Sequence, residues 1–217
     1  MVERDDPELP AGMFERIDEG DDAAFYAEPR FVTHIDAATI DALTAFYRER
    51  IPAGERVLDL MSSWVSHLPK DVTYASVVGH GMNAPELAAN PRLDAWHVQN
   101  LNADTALPWP DGSFDAALIA VSVQYLTRPV EIFAELARLL VPGGQLIIST
   151  SHRCFPTKAV WAFRELPPAE RVRLIGFYLQ RAGGFEALEF QDRSPTGADP
   201  LWIVSARRAV ESAGDDL

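Results

Sequence analysis

One cysteine, Cys154, in 217 residues leaves nothing to pair with, so no internal disulfide framework exists and a reducing, cytoplasmic setting is expected. Basic residues are also scarce. Against 32 Asp and Glu stand 19 Lys and Arg, and the formal charge of −13 repels a phosphate backbone. Long nucleic acid is therefore not expected as a partner. No apolar run approaches the roughly 18 to 20 residues that a membrane span needs, so no membrane partner is expected. The opening MVERDDPELP is acidic and has no hydrophobic segment, which is not the pattern of a signal peptide. Five histidines and the lone cysteine show no close metal-ligand spacing, and no metal site is expected. Internal repeats and low-complexity linkers are absent as well.

What is present is a strong core signal. Hydrophobic residues make up 47% of the chain, enough for one substantial core in a single domain over 23–210. Residues 1–22 read as an acidic, flexible lead-in and 211–217 as a disordered tail. From Asp36, which is placed to cap, Ile40, Leu43, Phe46 or Tyr47 and Ile51 recur at helical spacing until Pro52-Ala-Gly54 stops them. Strands are expected near 56–60, 74–79, 96–99, 114–122 and 145–150. Pro129 opens a helix with Val130, Ile132, Phe133, Leu136, Leu139 and Leu140 on one face, and Pro142-Gly143-Gly144 closes it. A helix near 168–181 precedes two further strands in GGFEALEFQ and LWIVSARR. Strands alternating with helices imply an α/β, doubly wound, Rossmann-like sheet of seven strands, mostly parallel and flanked by helices.

The most informative absence is local. RVLDLMSSWV, from Arg56 to Val65, is an apolar strand ending in Asp59, followed where a glycine-rich turn would let backbone approach a ligand. Met61, Ser63 and Val65 occupy the glycine positions of a D-x-G-x-G-x-G loop. A sheet of this kind binds ligands beyond the carboxyl ends of its strands, at the switch point. The candidate residues are therefore those following each strand: Asp59 and Met61 to Trp64; Gly79, His80, Gly81, Met82 and Asn83; Gln99, Asn100, Leu101 and Asn102; Val121 to Tyr125; and Ser151 to Phe155.

The order VLDL, VVG, VQNLNADTALPWPDGSFD and VSVQYLTRPVEIFAELARLLVPGG resembles the class I S-adenosylmethionine-dependent methyltransferases. LPWPDGSFDAALIA and the helix ending in PGG carry most of the likeness. LDLMSSWVSHLP, GHGMNAPELAANP and SHRCFPTKAVW resemble a less studied subgroup of bacteria and plants. The resemblance implies S-adenosylmethionine as cofactor, S-adenosylhomocysteine as product and a small-molecule acceptor. It implies that Asp59 accepts hydrogen bonds from the methionine ammonium, and that Met61, Ser62, Ser63 and Trp64 wrap that moiety. Asn100 would accept from the adenine amino group, with the Leu101 N–H at the ring. Ser122 to Tyr125 would flank the methionine and the acceptor entry.

Two departures stand out. The family usually has an acid at the end of strand two, forking to both ribose hydroxyls; Gly81 stands there, with Asn83 as a weaker acceptor two residues on. The loop glycines are the other. Each residue also has a plainer role open to it: Asp59 as a turn cap, Trp64 as a core aromatic, Gly81 as a turn glycine, Cys154 as an inert thiol, Arg153 and Lys158 as surface charges. For the acceptor, Arg153 and Lys158 are candidates to hold an anionic group, beside Cys154 and Gln124. Tyr26, Arg30 and His34 are candidates for a lid. A sulfonium methyl needs in-line alignment more than strong acid or base. His34 or His152 would take any proton, with Arg153 beside the reacting groups. Two alternatives remain: a binding or regulatory protein of this fold without catalysis, and, more weakly, a dinucleotide oxidoreductase, which lacks its G-x-G-x-x-G.

Overall fold

The structure, a computed structural model, describes residues 10–210. A 3-10 turn (Ala11–Phe14) and two helices, α1 (Asp22–Phe25) and α2 (Ala37–Arg50), precede the sheet. The strands are β1 (Arg56–Leu60), β2 (Ser76–Gly81), β3 (Ala95–Val98), β4 (Phe114–Ala120), β5 (Leu140–Thr150), β6 (Phe185–Asp192) and β7 (Trp202–Arg208). Between them lie α3 (Ala84–Ala89), α4 (Pro129–Leu139), α5 (Trp161–Glu165) and α6 (Pro168–Ala182). One sheet holds all seven strands in the order β3-β2-β1-β4-β5-β7-β6. The first five pair in parallel, and β7 runs antiparallel to both β5 and β6. The α/β, Rossmann-like expectation holds.

Alternation along the strands explains why they read as continuous apolar runs. Leu58 and Leu60 of β1, Ile119 of β4 and Ile148 of β5 pack on one face with Ile132, Phe133 and Leu136 of α4 and Ile175 of α6. Val57, Leu118 and Ile147 point to the other face, against Leu43, Phe46 and Tyr47 of α2. Both faces are covered, so successive residues must all be apolar. Among the described strands Asp59 is the one buried carboxylate, set in a mostly apolar strand. Asp36 caps α2 as expected, accepting the Thr39 N–H at 2.9 Å. The crossover from β3 back to β4 makes the gap between β1 and β4 the switch point of the sheet.

Three expectations need correction. The lead-in from residue 10 onward is tied to the domain. The Asp18 N–H donates to Thr157 O at 2.9 Å and the Trp161 N–H to Glu15 O at 2.7 Å. Residues 1–9 and 211–217 lie outside the described residues. The PGG turn does not close α4, which ends at Leu139. Leu140 pairs at once with Phe114, and Gly143 (φ 79°) and Gly144 shape the irregular start of β5. A Cβ on Gly144 would meet Val141 O at 2.8 Å, so that position needs glycine. Three helices of four to six residues, α1, α3 and α5, were not expected, being too short to establish a 3.6-residue period. Among the described residues no helix is long and apolar enough to cross a membrane.

Candidate active site

Beyond the carboxyl ends of β1, β2 and β4 lies a cavity of about 140 Å³. Asp59 stands in its wall. It is 2% exposed, accepts the Ser62 hydroxyl at 2.6 Å, and no cation among the described residues compensates it. Burial pushes its carboxyl up to about 6, against the opposing pull of the Ser62 and Ser66 hydroxyls. The missing glycines leave a trace in the backbone. Met61 holds φ 58°, in the left-handed region where glycine is at ease, and Val121 and His67 hold φ 50° and 53°. All three line the cavity. Strain of this kind in β-branched Val121 persists only where the surrounding packing imposes it, and it gathers at ligand sites.

Gly81 is a glycine for reasons of approach. A Cβ there would lie 2.5 Å from Ser62 O and 3.2 Å from Leu87. The loop after β1 crosses at that point, the Ser62 N–H donating to His80 O at 2.6 Å. Asn83 caps α3 through Glu86 N–H (3.0 Å), and its amide donates to Tyr26 O (2.9 Å) and Ala27 O (3.1 Å). Its oxygen is already engaged by that cap. The Ser62 and Ser63 hydroxyls donate to acids, Asp59 and Glu86.

Several assigned residues line the cavity but serve the protein itself. Asn102 donates to Asp22 and to Tyr125 O, each at 3.0 Å, and its oxygen accepts from Thr127 N–H and hydroxyl. Lys158, 1% exposed, reaches Gly20 O at 2.8 Å and the carboxylates of Asp18 and Asp22, each at 3.1 Å. Its three hydrogens are taken, which removes it as a substrate cation. Tyr26, Arg30, His34, Met82, Asn100, Leu101, Ser122 and Tyr125 also line the cavity. Asn100 Oδ1 accepts the Asn102 N–H at 3.0 Å, leaving a second lone pair. The Arg30 guanidinium sits over Phe25 (4.5 Å), Phe155 (5.4 Å) and Tyr26 (5.7 Å) and donates to Phe25 O. His34 meets Phe155 edge-on at 5.2 Å, and burial lowers its pKa, keeping it neutral at pH 7.

Other assigned residues are elsewhere. His152 and Arg153 pair with Asp199, at 3.3 and 3.1 Å, outside the cavity wall. Cys154 is half-buried away from the wall, and burial raises its thiol pKa against the opposing pull of Arg171 and Arg164. Trp64 turns its indole N–H to Val32 O (2.9 Å), Gly79 approaches Leu93, Val123 joins the core, and Gln124 donates to Val121 O (2.8 Å). None of these four lines the cavity.

Sequence reasoning missed Glu86 and Asp22, and left His80, in the run after strand two, without a role. Asn83-Ala-Pro-Glu86 carries the spacing of a capping box and signals both α3 and its inward acid. Only its place at the end of β2 marks His80. It is 1% exposed, neither ring nitrogen has a partner, and burial drives its pKa down to about 3. Burial likewise lowers His67 to about 4. Both stand neutral in the wall.

A protein-family profile described as "Methyltransferase domain" matches residues 61–148. The demethylmenaquinone methyltransferase of Beutenbergia cavernae is 30% identical over 184 residues, covering 81% of this chain and 66% of that one. That of Thermus thermophilus is 37% identical over 103 residues, covering 44% of this chain and 47% of its own. The chain thus spans about half to two thirds of these relatives. Among solved structures, an S-adenosylmethionine-dependent methyltransferase from Mesorhizobium loti aligns with TM-score 0.53 and 21% identity, over 78% of this chain and 100% of that one. The [4+2]-cyclase SpnF aligns with TM-score 0.59 and 21% identity, over 78% and 82%. These two share the fold, which by itself fixes no reaction. Profile, relatives, strand order and the acid ending β1 agree: the chain belongs to the class I S-adenosylmethionine-dependent methyltransferase superfamily.

Proposed function

We propose that this chain binds S-adenosylmethionine at the ends of β1, β2 and β4 and directs its methyl group to a small-molecule acceptor. Asp59 carries the reading. A carboxylate 2% exposed, with no cation beside it and a pKa raised to about 6, is costly to keep ionised, and an ammonium group offsets that cost. The remaining donors and acceptors fit the same molecule. Asn100 Oδ1 and the Leu101 N–H suit an aminopurine edge, and the unpartnered Ser122 hydroxyl and His80 ring add polar contacts in the wall.

The bound cofactor supplies an activated methyl group on sulfur. The chain's own task is then to align the acceptor and keep water out. Tyr26, Tyr125 and Phe155 give the cavity an apolar wall suited to a planar acceptor, with Arg30 above their cluster. His34, neutral at pH 7, is the wall residue suited to accept a proton from an acceptor hydroxyl or amine. His152 and Arg153 have no part in this reading.

Calorimetry with S-adenosylmethionine and S-adenosylhomocysteine, on protein stripped of copurified ligand, tests it. Binding that is lost in Asp59→Ala and weakened in Asn100→Ala is the expected result. An acceptor screen would start from quinols, two relatives being named for demethylmenaquinone. Absence of heat and of thermal shift with both ligands sinks the proposal. Binding without turnover across the panel would favour a regulatory protein that kept the fold.

A further inference from the structure

Three carboxylates stand in the cavity wall, and they are not equivalent. Asp22 is neutralised by Arg16 at 2.6 Å and Lys158 at 3.1 Å. Asp59 and Glu86 have no ion pair among the described residues. Adjacent serines orient these two: the Ser62 hydroxyl donates to Asp59 at 2.6 Å, and the Ser63 hydroxyl donates to Glu86 at 2.5 Å. The turn that lacks glycine therefore presents two separate acids to one cavity.

Glu86 is 9% exposed, and its other oxygen accepts the Arg30 N–H at 2.6 Å. An ionised carboxylate offers about four lone-pair sites, so each oxygen can accept once more. The shortage of partners is not confined to the acids. In the same wall the Ser122 hydroxyl and both ring nitrogens of His80 are buried without any partner. Such a wall calls for a ligand rich in N–H and O–H donors. The cofactor carries one cationic donor, its ammonium, for which the deeper Asp59 is the match. Its remaining donors are one amino group and a vicinal diol, and two oxygens of one carboxylate match a diol. Gly81, at the neighbouring strand end, cannot serve, since any side chain there would run into Ser62 O.

We propose that Glu86 is a cofactor-binding residue whose carboxylate accepts the ribose hydroxyls of S-adenosylmethionine. The inference rests on the methyltransferase reading above and extends it to a residue displaced by five positions from the strand end. It also ties the segment carrying Arg30 to the cofactor, since one carboxylate would hold both.

The test is a binding cycle read by calorimetry, with S-adenosylhomocysteine and its 2′-deoxy and 3′-deoxy analogues as probes. Wild type should lose about tenfold to a hundredfold in affinity for at least one deoxy analogue, the usual worth of a hydrogen bond to a charged group. Glu86→Gln keeps the side chain's size and should weaken S-adenosylhomocysteine by a similar factor. In that variant the further loss on removing the hydroxyl should shrink to about threefold or less, because the partner is already gone. Equal deoxy losses in wild type and Glu86→Gln would overturn the proposal while leaving the cofactor reading intact. No binding of S-adenosylhomocysteine to wild type would sink both together. Should Glu86→Gln bind nothing, the wild-type complex decides by crystallography. A ribose oxygen within hydrogen-bond reach of Glu86 supports the assignment, and a separation beyond that reach overturns it.

Discussion

Asp22 and Asp59 line the same cavity, both nearly inaccessible, and their surroundings push them in opposite directions. Burial raises both. For Asp22 it is outweighed by hydrogen bonds from Asn102 and Lys158 and by the charge of Arg16, and its pKa is lowered. For Asp59 only hydroxyls oppose it, and the pKa rises to about 6. The difference separates architecture from function. A buried carboxylate surrounded by the chain's own cations holds the fold together; one left without them is ready for a cation from outside.

The largest effect should come from breaking the compensated side. Lys158→Met removes the cation that joins Asp18, Asp22 and Gly20, leaving buried Asp22 with Arg16 and the Asn102 amide. Removing one partner of a buried pair costs about 3–5 kcal/mol, so urea unfolding should show a loss of that order. Adding Asp22→Asn should recover part of it. A loss under about 1 kcal/mol would mean that the network is dispensable.

This contrast was only half legible in the sequence. The elements that bury a repeating face, β1, β4, α4 and α6, announce themselves by period and punctuation, and the acid ending β1 follows from topology. What makes Asp22 structural lies far off in the chain: Arg16 is six residues away, but Asn102 and Lys158 come from other loops. Spacing cannot report such meetings. For the same reason SHRCFPTKAVW misled. Its Arg153 and His152 turn out to Asp199, next to β7, while only Phe155 and Lys158 face inward. Residues at one strand end share an address without sharing a direction.

Asp59→Asn tests the uncompensated side, and its two effects should have opposite signs. Binding of S-adenosylhomocysteine should weaken by about a hundredfold, the scale of removing one partner from a buried charge contact. Stability of the free protein should rise. A carboxyl raised from its ordinary value to about 6 carries no penalty below about pH 4. The penalty grows as pH rises through 6 and amounts to about 3 kcal/mol above it. Less the Ser62 hydrogen bond, Asn should gain about 1–2 kcal/mol at pH 7.5 and nothing near pH 4. Asp22 has the reverse sign: its lowered pKa gives stability that is present above about pH 4 and lost as pH falls through its folded value. Stability curves from pH 3 to 8 for wild type and Asp59→Asn should therefore converge at the acid end. A variant equally destabilised at all pH values would contradict the burial argument.

The smallest effect is expected at Arg153, and it marks where the site stops. Its guanidinium is more than half exposed and meets Asp199 at 3.1 Å. Asp199 keeps other partners without it, accepting the Asp36 N–H at 3.0 Å with His152 beside it at 3.3 Å. Removing an exposed partner from an acid that is otherwise satisfied leaves no buried charge alone, unlike Lys158→Met. Arg153→Ala should shift stability by about 0.5 kcal/mol or less. Its affinity for S-adenosylhomocysteine, and kcat/KM once an acceptor is known, should stay within about twofold, the gap to the cavity leaving no route for a direct contact. A tenfold fall in kcat/KM with unchanged cofactor affinity would place Arg153 on the acceptor. That outcome would require the 152–155 segment to turn inward when substrate binds, moving the boundary between scaffold and site that the two aspartates define.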